Sequence, residues 1–499
     1  MLEVERKFTV PPDFVVPELA MHGWAVAPET TVVLDATYYD TEDLRLARAH
    51  ITLRRRVGGS DAGWHLKLPA GRDREEIQRP LGRGATVPPA LADLVLAHTR
   101  GLPLAPVAHI HTTRVLTTIS DPDGTPLVEV ADDHVEGQRL GEPLKATCWR
   151  EIEVELLTAG REKALAAVGK RLRTAGATPS TSASKLAQTL GRPDSGGARP
   201  PATGDRRSAA AAVTAYLREQ VQALLAADPR VRRDEDDAVH AMRVASRRLR
   251  SALRTFRPLL DHSALGDLGS ELKWLASVLG EVRDREVLHE RMRHALDNLP
   301  DELVLGPVRA RLLDEELHAG GLRARSVAVD ALRSSRYLTL LDRLDGLAAA
   351  PPLTPRAARP AGTVLPRLAQ RAWKRLRRRA AIAIATGDED RLHDCRKAAK
   401  RARYTAEAVA PVLGRPAARL GRKAKKVQTV LGEHQDSVLA RTLLRHLATT
   451  ETQTFTYGLL YAAEQQHAAA SAQQFADLWR RADDTARQRL LPHLGRHHG

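Results

Sequence analysis

MLEVERKFTV (residues 1–10) decides how the first part of the chain is read. Taken as a strand, it puts Val4, Arg6, Phe8 and Val10 on one side and Glu3, Glu5, Lys7 and Thr9 on the other. Glu3 and Glu5 then stand roughly 6.7 Å apart on the same face, where their repulsion is unfavourable unless a cation or several basic groups lie between them. Something positive is therefore expected nearby. HITLRRRV (residues 50–57) divides in the same way, with Thr52, Arg54 and Arg56 opposite Ile51, Leu53 and Arg55. GWHLKLP (63–69) sets His65 and Lys67 against Trp64, Leu66 and Leu68, and WREIEVEL (149–156) sets Glu151, Glu153 and Glu155 against Ile152, Val154 and Leu156. Turn signals such as Gly58-Gly59 and Asp121-Pro122-Asp123-Gly124 separate these segments, which predicts an antiparallel sheet or barrel. Helices are expected near Pro89–Leu102 and Arg161–Ala175.

A solvated outer face would give any one of these strands its pattern. Taken together, the strands favour a barrel whose charged faces line a lumen. Carboxylates there suit hard divalent cations, and Arg and Lys suit the oxygens of an anion. A phosphate chain carrying Mg²⁺ satisfies both sets. Glu3 and Glu5 are tolerated side by side if they face a metal.

Composition narrows the rest. The chain has 499 residues, enough for about three domains, and 43% of them are hydrophobic. It contains no run of about 18 apolar residues and no signal-peptide pattern at its start, so it is expected in the cytoplasm, without a membrane role. Cys148 and Cys395 are far apart and lack metal-ligand spacing, which argues against a disulfide framework or zinc site. The net charge of +16 is unevenly spread: residues 1–200 carry 25 Lys and Arg against 26 Asp and Glu, and residues 201–499 carry 52 against 35. A polyanionic partner is predicted for the second part. Aromatic residues are only 4% and are not interleaved with the basic clusters, so single-stranded nucleic acid ranks low.

Residues 191–205 (GRPDSGGARPPATGD) read as a linker between a sheet domain, 1–190, and a helical one, 206–490. A Pro-rich break at 351–362 divides the helical part into halves of about 206–347 and 363–490, and these repeat each other. His240-x-x-Arg243-x-x-x-Arg247-x-x-Arg250 recurs as His393-x-x-Arg396-x-x-x-Lys400-x-x-Arg403. Those offsets fall on one stripe of a helix, so each copy presents a histidine and three cations on one face. LGSELKWLASVLGEVRD (268–284) matches LGRKAKKVQTVLGEHQD (420–436) without a gap, and the interval from His to the final Asp is 44 residues in one copy and 43 in the other. This is an internal duplication. The copies differ where Arg283 becomes Gln435. The run KRLRRR (374–379) reads as a solvated helix surface.

Glu3-x-Glu5-x-Lys7 resembles the signature of the CYTH family of triphosphate tunnel metalloenzymes. YYDT (38–41), LRRR (53–56), HLKLP (65–69), Arg74-x-Glu76, TTR ending at Arg114, VEVADDHV (128–135), the Glu151/Glu153/Glu155 strand and SKL with Lys185 follow in the family's order. The resemblance implies an eight-stranded antiparallel tunnel that binds a triphosphate and needs Mg²⁺ or Mn²⁺. It makes Glu3, Glu5, Glu151 and Glu153, with Glu129, Asp132 and Glu155, candidate metal ligands. Arg54, Arg56, Lys67, Arg114 and Lys185 would grip phosphate, and Lys7 would hold phosphate or orient the attacking water, with Glu5 and Glu153 completing the catalytic set. The duplicated helices resemble the CHAD domain, which implies two helical bundles with a basic surface for inorganic polyphosphate. Arg243, Arg247, Arg250, Arg396, Lys400 and Arg403 are the main candidates there, extended by Lys273, Arg283 and Lys425. His240 and His393 would strengthen binding on protonation near pH 6.5. The fold class expected is thus α+β and multidomain, a tunnel barrel with flanking helices followed by all-α duplicated bundles. The activity expected is Mg²⁺-dependent hydrolysis of inorganic triphosphate, with polyphosphate as partner and association with polyphosphate granules. An organic triphosphate (thiamine triphosphate, RNA 5′-triphosphate or ATP, the last by cyclisation) and a non-catalytic polyphosphate-binding protein are the alternatives, and nucleic acid is a less favoured partner.

Overall fold

A computed structural model describes residues 2–21, 23–71, 73–141, 145–157, 162–182, 184–191 and 207–494. The chain divides into two compact units, Met1–Pro201 and Ala202–Gly499. Apart from Gly191, the expected linker lies outside the described residues.

In the first unit, strands β1 (Leu2–Glu3), β2 (Glu5–Val10), β3 (Ala25–Val26), β4 (Thr30–Asp40), β5 (Thr52–Val57), β6 (Gly63–Ala70), β7 (Asp73–Arg79), β8 (Ala105–Ser120), β9 (Pro126–Arg139), β10 (Lys145–Leu156) and β11 (Thr178–Pro179) belong to one antiparallel sheet. Its order is β1-β7-β6-β5-β4-β8-β9-β10-β2-β11. Because β1 and β2 are one stretch of chain broken at Val4, that stretch joins β7, near one end of the order, to β10, near the other, with β11 lying beyond β2. Leu2 and Glu3 pair with Glu75 and Arg74 of β7, and Glu5–Val10 pair with Glu155–Arg150 of β10. Two residue pairs hold one side of the seam and six hold the other.

Side-chain alternation then sorts the sheet into an inner and an outer face. Outward residues Phe8, Val10, Val128, Val130, Ile152 and Val154 form a core with α4 (Glu162–Thr174), through Leu165, Val168 and Leu172. Outward Leu53, Trp64, Leu66 and Ile77 form another, with Leu46 of α1 (Arg45–Arg48) and Leu91, Leu94 and Val95 at α2 (Pro89–Leu94) and α3 (Leu96–Thr99). The apolar halves of the strands therefore face helices and the charged halves face inward. Helix α5 (Lys185–Thr189) starts at Ser184, whose side chain accepts from the Ala187 N–H, and packs Leu186 against Ile110 and Val135 inside the tunnel.

The second unit is helical: α6 (Ala209–Arg232), α7 (Ala238–Thr255), α8 (His262–Leu265), α9 (Leu268–Asp297), α10 (Ala319–Arg333), α11 (Ser335–Ala349), α12 (Ala361–Thr386), α13 (Glu389–Thr450) and α14 (Phe455–Thr485). Both copies of the repeat adopt one arrangement. In the first, α7 and α9 carry the two conserved-spacing segments. In the second, both lie in α13, which leaves helical geometry at Gly414 (φ 66°). The chain doubles back there, so that Arg403 donates to Gln428 at 3.3 Å and Arg441 reaches Glu389. A positive φ of this kind favours glycine. Among the described residues no helix is long and apolar enough to cross a membrane.

Gly137 sets how deeply α5 seats. A Cβ there would lie 2.3 Å from Thr189 Oγ1 and 3.0 Å from the Trp149 ring. Gly137→Val should therefore cost about 1–3 kcal/mol by overpacking. Calorimetry of the full chain should show the first unit melting several degrees lower, with faster hydrogen exchange across α5, and an unchanged transition would show that α5 is not held this way.

Candidate functional site

Strand parity brings the sequence-derived residues of the first unit together on the inner face. Glu5, Lys7, Arg54, Arg56, Lys67, Arg114, Glu129, Glu151, Glu153 and Glu155 all lie there, and α5 adds Lys185. Glu3 occupies the matching strand position opposite Arg74, but its side chain lies outside the described residues.

Asp132 does not belong with them. It points outward, where it takes two bonds from Arg150, at 2.9 and 2.6 Å. The inward acid is Asp133, fully buried and paired in register with Arg114. The signal was present in VEVADDHV: Val128 and Val130 mark the apolar face, which puts residue 133, not 132, beside Glu129. Tyr38, His65 and Glu76 also join the lining. Arg54 donates to the Tyr38 hydroxyl at 3.3 Å, and His65 Nδ1 lies 2.6 Å from Glu76 Oε1.

Two groups of acids differ in their partners. Asp133, Glu151 and Glu153 bring ligand oxygens within 4.8 Å of one another. Lys185 Nζ sits among them, 2.8, 2.7 and 2.8 Å from the three in turn. Arg114 bonds both Asp133 oxygens at 2.7 Å and Glu153 at 2.6 Å, while Lys7 lies 2.7 Å from Glu153. Burial works to raise the Glu153 carboxyl, but Lys185, Lys7 and Arg114 outweigh it and hold it well below the usual carboxylate range. This trio is an ammonium and guanidinium site, and a metal would enter it only by displacing Lys185.

The second group is Glu5, Glu155 and Glu129. They occupy one register across β2, β10 and β9, Glu155 being paired with Glu5 on one side and Glu129 on the other. Lys7 approaches Glu5 only to 3.4 Å. Burial, then the charge of Glu5, raises the Glu155 carboxyl, Lys67 opposes this, and Glu129 raises it further. Three acids in one register, the middle one raised by its neighbours, suit a hard divalent cation with oxygen ligands.

Facing them, β5 and β6 carry the cations. Arg56 is pushed down to about 10 by burial and by Arg54 and Arg114, and it pairs at the rim with Asp61. Burial would raise the Tyr38 hydroxyl, yet Arg54 lowers it on balance. Arg56, destabilised by its buried position and its cationic neighbours, gains from an anion laid beside it.

In the second unit the two basic stripes meet. Arg243 lies over the bare backbone of Gly280 and bonds Asp284 at 3.1 Å, and Arg396 lies over Gly432 with Asp436 nearby, so the repeated Gly and Asp serve the repeated Arg. Arg247 and Arg403 both approach the Tyr404 ring, at 6.0 and 5.6 Å. An open basin of about 460 Å³ is lined by Arg247, Arg250, Arg254, Arg375, Arg379, Lys397, Lys400 and Arg401, with Asp394 as its acid. Burial, then Arg247, Arg396 and Arg243, drives the Lys400 ammonium down to about 6.

Arg375 and Arg379 of the KRLRRR run line this open basin while remaining accessible to solvent, as the reading of a solvated helix surface expects. Other expectations change here. His240 and His393 are both pushed below the ordinary histidine value by burial and by cations, Arg283 foremost for His240 and Lys397 for His393, so they charge at lower pH than expected. Arg283 stands beside His240 and bonds Glu286 at 2.9 Å, outside the basin lining. Arg403 is tied to Glu407 at 2.6 Å, and the exposed Lys273 and Lys425 are not among the lining residues.

Against known proteins, a CYTH domain family model matches residues 1–190 and a CHAD domain model residues 215–445. Protein Rv2226 of Mycobacterium tuberculosis is 40% identical over 522 residues, covering 98% of this chain and 97% of its own. Among solved structures, PptA from Streptomyces chartreusis is 28% identical and covers 55% of this chain and 99% of that one, with a TM-score of 0.48. The CHAD domain from the plant Ricinus communis is 25% identical and covers 60% and 98%, with a TM-score of 0.44.

Lys185→Met tests the ammonium site. In the wild type the Glu153 pKa is depressed, so its contribution is present above the ordinary value of 4.5 and is lost as pH falls below it. In the variant Glu151 loses the ammonium 2.7 Å from it, while Asp133 keeps Arg114 and Glu153 keeps Arg114 and Lys7, which should cost the first unit about 3–5 kcal/mol near pH 7. A carboxylate buried without its cation is relieved by protonation, so the variant should gain stability from pH 7 to 5 while the wild type does not. Denaturant titrations at both pH values check this, and parallel slopes would refute it.

Proposed function

The chain belongs to the CYTH family through residues 1–190 and to the CHAD family through residues 215–445, and from that membership we propose that it hydrolyses inorganic triphosphate with a divalent metal and binds inorganic polyphosphate on its helical unit. The observation that carries the reading is the division of the tunnel lining. Glu5, Glu155 and Glu129 stand in register on one wall, and Arg54, Arg56 and Lys67 stand on the other. A linear phosphate chain laid across the lumen meets cations along one edge. A divalent metal, Mg²⁺ or Mn²⁺, would be held by the carboxylate row of Glu5, Glu129 and Glu155, with Glu3 of the same stretch as a further candidate.

Such an ion neutralises charge on the phosphoryl group being transferred. The protein's own groups do the rest. Arg54, Arg56 and Lys67 fix the chain, and Arg114 and Lys185 turn from their carboxylates to its oxygens. Glu153 then loses two of the cations that suppress its basicity, so its affinity for a proton rises when substrate is present. Water attacks the terminal phosphorus, the P–O–P bond breaks to give orthophosphate and pyrophosphate, and Glu153 takes the water's proton. Lys7, 2.7 Å from Glu153 and 3.4 Å from Glu5, orients that water between them.

Phosphate release from tripolyphosphate, with and without Mg²⁺, tests the first half. Glu5→Gln should lower kcat ~100-fold or more, since losing several kcal/mol of metal-borne stabilisation costs tenfold per 1.4 kcal/mol. Arg56→Ala should chiefly raise KM. ATP and thiamine triphosphate serve as rival substrates, and faster release from either would move the reading to an organic triphosphatase.

For the basin, Lys400 gives the sign of a pH effect. A bound polyanion stabilises its charged form, so binding above pH 6 takes up a proton and weakens as pH rises, by up to ~10-fold per unit for one coupled proton. Calorimetry of polyphosphate binding in buffers of different ionisation enthalpy should show that uptake. Lys400→Met should abolish it, and a wild type without uptake would overturn the assignment.

A further inference from the structure

The outer face of the sheet carries a cluster that the tunnel does not use. His109 and His111 are two residues apart on β8 and share its outward side, opposite to the side that carries Arg114. Asp35 of β4 is directly paired with His111. Its Oδ1 lies 3.0 Å from His111 Nδ1 and 3.7 Å from His109 Nε2, so one carboxylate oxygen stands between two imidazole nitrogens. All three side chains are accessible, at 40–46% of full exposure. Glu136 of β9 is paired with His111 from the other side, placing a second carboxylate next to the same imidazole.

Nitrogen and oxygen ligands at roughly 2.0–2.2 Å from one metal, at angles of 90–110°, are separated by about 2.9–3.6 Å. The Asp35–His111 separation falls in that range, and the Asp35–His109 separation is just beyond it. Two imidazoles with one or two carboxylates are borderline donors, which select Zn²⁺, Ni²⁺ or Cu²⁺ over the hard ions suited to an all-carboxylate row. The antiparallel pairing of β4 and β8 fixes the three backbone positions; the two imidazoles each approach Asp35 but do not yet converge with one another, and side-chain rotation would bring them together.

We propose that Asp35, His109 and His111 form a transition-metal site on the outside of the tunnel sheet, with Glu136 or water completing the coordination and Zn²⁺ as its best-fitting ion. A metal there would staple β4 to β8 from outside. The inner faces of the same two strands present Tyr38 and Arg114.

The test uses the full chain, stripped with chelator and then held in excess Mg²⁺ so that the tunnel acids are occupied. Zn²⁺ is titrated against a chromophoric competitor. The wild type should bind one more equivalent than His109→Asn/His111→Asn, Asp35→Asn should bind it at least ~10-fold more weakly, and Glu5→Gln should match the wild type. Cu²⁺ substituted at the site should show coupling to two nitrogens by electron paramagnetic resonance, lost in the double variant. Equal zinc stoichiometry in the wild type and double variant would overturn the proposal. Should the double variant not fold, Zn²⁺ protection of His109 and His111 from diethylpyrocarbonate in the wild type takes its place, and absence of protection would overturn it as well.

Discussion

One ammonium group holds the tunnel's acidic side together. Lys185 Nζ lies within 2.8 Å of carboxylates from two different strands, and it is delivered by a short helix rather than by the sheet itself. Without it Glu151 would lack an ammonium partner, and Arg114 and Lys7 alone would face three neighbouring carboxylates in a buried setting, where uncompensated charge is costly. The helix is seated by Leu186 among apolar tunnel residues and by the absence of a side chain at Gly137. The electrostatics of the lumen therefore depend on one close approach between a glycine and a threonine.

The same logic organises the helical unit with the sign reversed. There the crowded charges are cations, and the partial remedies are Asp284 and Asp436 at matching positions of the two repeats. Asp284 pairs with Arg243 and the charge of Asp436 favours that of Arg396, but Arg247 and Lys400 are left close to one another with burial opposing both charges. A surface built in this way is under electrostatic tension until something anionic enters. Arg56 on the tunnel's basic wall has the same character.

Most of the lumen was legible because strand alternation is a rigid rule. Once MLEVERKFTV, HITLRRRV, GWHLKLP and WREIEVEL are read as half-buried strands, their inward residues follow. Asp133 was hidden only because two adjacent acids invite a choice, and the flanking valines settle it. The partition of the acids into an ammonium-bound trio and a free row was not legible, because it depends on where Lys185 arrives from a distant helix. The basin was legible in part. The duplicated stripe marked Arg247, Arg250 and Lys400, whereas Arg375 and Arg379 enter from a helix outside the repeat motif, and no periodicity within α12 says which helix it will face. Lys273 and Lys425 shared the motif's spacing but sit on the exposed side of their helices.

The seam at the first strand has a mechanical meaning. Six residue pairs fasten β2 to β10, while two fasten β1 to β7, and the neighbouring edge of β2 is covered only by the two-residue β11. A cylinder with one weak join yields along that join first. The join runs beside Glu5, so compliance is concentrated at the carboxylate row, while the arginine wall of β5, flanked by long strands on both sides, keeps its shape. Opening along this join would part the carboxylates of β2 and β10 from β7 while leaving the spacing of Arg54 and Arg56 on β5 unchanged.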